Sequence, residues 1–247
     1  IAKRRRGNIT MNKRIAVIMP TRSAGGLRNA SAQEAFASWK STSEGLSDFY
    51  YGVDFDDEHN YTIPEGAMVL RNERLRLVPK LNKMCESLVD KYDYVFFLGD
   101  DHRFMTPGWE STWLTDAEAA GGSAIYYGND LLQKDNLPTA VFMSTWLIKE
   151  LGYMAPPCIQ HMYADNFWKD LGNALSILRY YKDLIIEHRH HSARKSKRDS
   201  QYVEVANLMG VDRVEYNKYL GKGFKSDVDK LRQKCALRLS GADSTDV

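Results

Sequence analysis

The chain has 247 residues, 43% of them hydrophobic, enough for one sizeable buried core. A net charge of +2 is too mild to imply a nucleic-acid partner by itself, although Lys3–Arg6 and Arg189–Arg198 form basic clusters. Three widely spaced cysteines, Cys85, Cys158 and Cys235, argue against a disulfide framework and for a reducing compartment. No apolar run approaches the roughly 20 residues that span a bilayer, and the N-terminus lacks a signal-peptide core, so a cytoplasmic protein is expected.

Residues 1–13 are expected to be a disordered arm or an expression remnant, 14–205 a catalytic domain and 206–247 a helical extension. The unbroken Ile15-Ala16-Val17-Ile18-Met19 predicts a first buried strand, and Pro20-Thr21-Arg22-Ser23 opens a loop containing Gly25 and Gly26. Ser31 is placed to cap a helix through Ala35, Phe36 and Trp39. Phe49–Val53 reads as a second strand ending in Asp54-Phe55-Asp56-Asp57, and Met68–Leu70 as a short third. A helix over about 79–91 carries Leu81, Met84, Cys85 and Leu88 on one face. Val95-Phe96-Phe97-Leu98 then predicts a strand buried on both faces, ending in Gly99-Asp100-Asp101-His102.

Further along, a helix is predicted over 107–120, strands over 123–127 and 139–143, and a helix over 145–151 stopped by Gly152. One or two helical turns over 164–171 end at Gly172, and 184–187 forms a last strand. Asp199 is placed to cap a helix through Leu208, with a charged helix and tail beyond. Alternating strands and helices predict an α/β fold with a mostly parallel sheet covered on both faces and a C-terminal helical tail.

The carboxyl edge of such a sheet is where ligands bind, which singles out Asp100, Asp101 and His102. A solvated turn is the plain alternative. Five of the six histidines fall in three short segments at strand or loop ends. His188 and His190 alternate at a strand end and so share a face. A carboxylate, His102 and one of that pair would form a mixed N/O site suited to Mn2+. Arg194 and Lys195 are placed to neutralise a diphosphate. Asp165 reads either as a helix N-cap or as a general base beside aromatic residues. Asp54 and Asp56 can accept hydrogen bonds from a base or ribose, and Tyr127-Gly128-Asn129-Asp130 reads first as a tight turn, then as a sugar contact. No P-loop, G-x-G-x-x-G after the first strand, or G-x-S-x-G elbow is present.

Taken in order, these segments resemble the GT-A nucleotide-sugar glycosyltransferases, in particular small phage-encoded members related to glycosyltransferase family 2. The resemblance rests on Ile18-Met19-Pro20-Thr21-Arg22, Gly52-Val53-Asp54, Leu98-Gly99-Asp100-Asp101-His102 and Thr106-Pro107-Gly108-Trp109. It continues through Tyr127-Gly128-Asn129-Asp130, Gly152-Tyr153-Met154, His161–Trp168 and Glu187-His188-Arg189-His190 with Lys195 and Asp199, covering roughly residues 14–205.

The resemblance implies a GT-A, Rossmann-like sheet and transfer of a sugar, a UDP-sugar first, to an acceptor hydroxyl with inversion. It implies that Thr21, Arg22 and Asp54 contact the nucleoside, that Asp100 reaches the ribose or the metal, and that Asp130 and Lys195 serve the donor. Asp101 and His102 stand at the family's D-x-D motif, here ending in histidine, with His188 or His190 completing a site for Mn2+ or Mg2+. Asp165 matches the base of inverting members. The implied partners are a nucleotide sugar and a protein or glycan acceptor such as a capsid or tail protein, in the cytoplasm of an infected bacterium, with a homodimer left open. A metal-dependent phosphoesterase or nuclease, and a nucleic-acid-binding protein without chemistry, are the competing readings.

Overall fold

A computed structural model describes residues 14–190 and 200–240. The first strand, β1 (Ile15–Pro20), is buried at every position and lies between β2 (Ser47–Asp54) and β4 (Tyr94–Phe97), parallel to both. β3 (Met68–Asn72) extends this parallel half by pairing with β2. Beyond β4 the ladder turns antiparallel through β7 (Val141–Ser144) and β6 (Ile125–Asn129). β8 (Leu178–His188) runs parallel to β6, and β5 (His102–Phe104) closes the far edge antiparallel to β8. The eight strands follow the order β3-β2-β1-β4-β7-β6-β8-β5. Four of the seven pairings are parallel.

Successive strand residues point to opposite faces, and both faces are apolar because both are covered. On one side Ile15, Val17, Met19, Phe96 and Phe142 pack under α1 (Asn29–Thr42) and α3 (Trp109–Ala119) through Phe36, Trp39, Trp109 and Trp113. On the other, Ala16, Ile18, Val95, Phe97 and Met143 pack under α2 (Leu77–Glu86), α4 (Thr145–Leu151) and α5 (Ala164–Leu175). This second core also takes in Tyr216 of α6 (Ser200–Lys222) and Val228, Leu231 and Cys235 of α7 (Phe224–Leu239). The boundary expected at 205/206 therefore falls inside α6, and the C-terminal helices share the sheet's core.

Several boundaries shift for local reasons. α1 starts at Asn29 behind Arg28, and Ser31 does not cap it; its hydroxyl donates instead to the Asp100 carbonyl at 2.8 Å. α2 begins at Leu77, with Pro79 in the first turn, where its missing N–H costs nothing. The strand β5 was not anticipated, and β8 is far longer than 184–187. The Asp199 cap lies outside the described residues, and the helix that follows runs unbroken past Leu208 to Lys222. Among the described residues no helix is long and apolar enough to cross a membrane, and Cys85, Cys158 and Cys235 are free thiols.

Candidate active site

The turn after β4 sends the chain from Phe97 into β5, and the β5–β8 ladder places His102 directly opposite His188. Their rings stack with centroids 4.1 Å apart. Asp101 reaches both, with Oδ1 3.2 Å from His102 Nδ1 and Oδ2 3.4 Å from His188 Nε2. Gly99 permits this approach, because a Cβ there would stand 2.7 Å from Asp101 Oδ1 and 3.1 Å from His102 Nδ1. The Arg189 N–H donates to the Asp101 carbonyl at 2.8 Å and the His188 N–H to the Asp130 carbonyl at 3.0 Å, fixing the two backbones.

Asp130 sits behind this group, 2% exposed. Its Oδ1 accepts the N–H groups of Leu132, Gln133 and Lys134 at 2.7–2.9 Å, and Oδ2 accepts the Thr139 hydroxyl at 2.8 Å. The same Oδ2 lies 3.8 Å from His188 Nδ1, an ion-pair distance beyond a hydrogen bond, and that nitrogen is buried with no hydrogen-bond partner among the described residues. Asp130 thus supports His188 from behind and does not line the cavity described below.

Asp101, His102 and His188 can each offer a donor atom within 4.8 Å of the others. One carboxylate oxygen and two imidazole nitrogens fit a first-row divalent cation such as Mn2+. The electrostatics agree with that chemistry. Burial disfavours the Asp101 carboxylate, but its contacts with His102 and His188 hold it well below the usual range. Burial lowers His188, yet Asp101 and Asp130 outweigh it and raise the imidazole to about 9. His102 is pushed down by burial and then by the charge of His188. A proton on His188 therefore balances Asp101, and a cation can take its place. His190 lies one step out, its ring 5.2 Å from His188, and lines the cavity without joining the three donors.

A cavity of about 600 Å³ opens beside this group at the carboxyl ends of β1 and β4. Its second wall holds Thr21, Arg22, Arg28 and Asp100. Thr21 donates to Asp100 Oδ2 at 2.7 Å and shares a 2.8 Å hydrogen bond with Tyr61, while Arg28 reaches Asp100 Oδ1 at 3.2 Å. Asp54, fully buried, is not part of the lining. It is engaged by Lys80 at 2.7 Å, Arg22 at 2.9 Å and Asn72 at 3.0 Å, so its carboxylate anchors the cations that face the cavity. Arg22 is held further by a two-pronged contact with Asp56, both arms at 3.0 Å.

The third wall is the segment His161–Asp165 with Trp168. Tyr163, left-handed at φ 72°, precedes α5, so Asp165 falls in the first turn and does not cap the helix. Its Oδ1 accepts the Asn166 N–H at 2.9 Å, and burial nonetheless pushes the carboxyl up. The cavity therefore brings together Thr21, Arg22, Asp100, Asp101, His102, Asp165, His188 and His190, with Asp54 and Asp130 one layer behind. Lys195 lies outside the described residues.

Sequence reasoning missed the cavity cations Arg28, Arg74, Arg76 and Lys80, and Met209 contributed by α6. A signal existed for one of them. Lys80 stands four residues before Met84 on the apolar stripe of α2, a position where a charge needs a buried partner.

No protein-family model and no curated protein matches the sequence. Solved structures are similar to it in fold. The mannosyltransferase PcManGT from Pyrobaculum calidifontis, in complex with GDP-Man and Mn2+, is 11% identical with a TM-score of 0.51, covering 96% of this chain and 77% of that one. S. aureus TarS 1-349 in complex with UDP-GlcNAc is 14% identical with a TM-score of 0.52, covering 94% and 74%. Glucosyl-3-phosphoglycerate synthase from Mycobacterium tuberculosis, in complex with phosphoglyceric acid, is 14% identical with a TM-score of 0.51, covering 72% of each chain. Against a longer TarS chain, the matched region is only 36% of that chain's length. The fold is that of the GT-A nucleotide-sugar glycosyltransferases.

Proposed function

We propose that this chain transfers a sugar from a nucleotide-sugar donor, a UDP-sugar first, to an acceptor hydroxyl with inversion. The observation that supports it is one cavity bordered by three things: the Asp101-His102-His188 group, the Thr21-Arg22-Asp100 wall and the half-buried carboxyl of Asp165. In this reading Asp101, His102 and His188 hold a divalent cation, Mn2+ by preference, which when bound supplies positive charge to the leaving diphosphate. Thr21, Arg22 and Asp100 hold the nucleoside, with Asp54 fixing Arg22 from behind. Arg28, Arg74, Arg76 and Lys80 give this side of the cavity a positive field, and the sequence resemblance assigns Lys195 to the diphosphate.

Asp165 takes the proton of the acceptor hydroxyl as its oxygen attacks the anomeric carbon and the bond to the diphosphate breaks. Burial raises its pKa, which makes its carboxylate a stronger base. His190 lines the cavity beside His188. The sequence resemblance extends the proposal to a virion protein as acceptor in the cytoplasm of an infected bacterium.

The test is donor turnover with purified enzyme. Asp101→Ala is expected to abolish metal-dependent turnover. Asp165→Asn is expected to bind donor normally and lose about 10²–10⁴-fold in transfer. Full activity in excess chelator would remove the cation from the mechanism, and phosphodiester cleavage without sugar transfer would assign the same groups to a phosphoesterase.

A further inference from the structure

We propose that Asp212 of α6 is a positioning residue that holds the wall carrying Asp165 in its working geometry; the inference rests on the glycosyl-transfer reading. Asp212 is fully buried. Its carboxylate accepts three successive backbone N–H groups, Gln160 at 2.9 Å on Oδ1 and His161 and Met162 at 2.8 Å on Oδ2. Three consecutive amides pointing one way form an anion-binding concavity. Here it is filled by a side chain from some fifty residues along the chain.

The Gln160 carbonyl is pinned from the opposite side by the Val78 N–H at 3.0 Å. His161 and Met162 line the cavity, and Asp165 follows three residues later. One face of α6 makes further ties at helical spacing. Met209 lines the cavity, and Tyr216 stacks on Tyr163 at 5.5 Å and donates to Asp170 of α5 at 2.7 Å. Tyr219 packs against Phe167 at 6.0 Å. α6 is thus a strut for the wall that carries Asp165. Without the carboxylate, the three amides lose their acceptor and the start of α5 is free to drift from the donor.

The experiment compares Asp212→Ala and Asp212→Asn with wild type in three readouts: steady-state kcat and donor KM, the Mn2+-dependent thermal shift with UDP, and amide hydrogen exchange at Gln160–Met162. The expected result for Asp212→Ala is faster exchange at those amides with sheet amides unchanged, and a kcat about 10²-fold lower at unchanged donor KM and UDP shift. A purely structural role would lower Tm and folded fraction without splitting kcat from KM. Asp212→Asn keeps one acceptor oxygen and should fall between the two; it carries the test if the alanine variant does not fold. Released amides with wild-type kcat, or amides still protected in both variants, would overturn the assignment. A wild type that transfers beside an Asp212 variant that transfers equally well defeats Asp212 alone. A wild type with no transfer from any donor defeats the reading of the site on which the assignment rests.

Discussion

Asp165 owes its position to the residue two places before it. Because Tyr163 adopts the left-handed conformation ahead of α5, the acid lies inside the first turn with its carboxyl on the cavity. Burial raises its pKa against the opposing Asn166 N–H. A carboxyl that is more basic folded than unfolded contributes stability at low pH, and that contribution is lost as pH rises through its folded pKa. At pH 7 the ionised form therefore costs stability, and Asp165→Asn is expected to melt above wild type, the gap closing as pH falls below the usual carboxylate range. The acidic limb of the wild-type kcat profile should lie above that range and be missing from the variant's residual rate. A variant less stable than wild type at pH 7 would show that Asp165 is a structural acceptor, as the helix-cap reading of the sequence allowed.

The Asp101-His102-His188 group is brought together by the β4–β5 turn and the β5–β8 ladder. The acids and His102 were legible because four unbroken apolar residues ran straight into them. β5 itself was not, since its three residues include Arg103 and become a strand only by pairing with β8 more than eighty positions later. β8 was read short because Arg179, Lys182 and Asp183 interrupt its apolar pattern; pairing with β6 overrides that propensity. The expectation that His188 and His190 share a face, either one able to complete the metal site, assumed an extended chain through both. β8 ends at His188, so only His188 is held opposite His102. The turn makes its own prediction. Gly99→Ala would push a methyl against Asp101 and His102, and a loss of Mn2+ affinity of about 10–100-fold is expected, by isothermal titration, with an unchanged far-UV spectrum. Unchanged affinity would show that the three donors do not act as one site.

At the scale of the molecule, the α/β class and the covered sheet were readable from β1 and β4, whose residues tolerate no polar face. The C-terminal helices were not readable as part of the core. The stripe of α6 that packs inward carries Asp212 against the 160–162 amides and Tyr216 and Tyr219 against α5, while Val211 and Val214 are exposed at 56% and 49%, so hydrophobicity alone points the wrong way. A chain ending before α6 would uncover Phe167 of the second core, on which Tyr219 packs. It is expected to lose its cooperative thermal transition and bind apolar dyes; a truncated chain melting at the full-length Tm would make α6 and α7 a separable extension after all.

The most direct measurement of the central claim is a thermal-shift panel of UDP-, GDP-, CMP- and dTDP-sugars, each with and without Mn2+. A ligand at 100 times its Kd stabilises by about 2.7 kcal/mol, which in a domain of this size raises Tm by roughly 5–10 °C. The account predicts such a shift for one nucleotide, with UDP-sugars first, requiring Mn2+ and absent from Asp101→Ala. A shift with Mn2+ alone and none with any nucleotide sugar would contradict it.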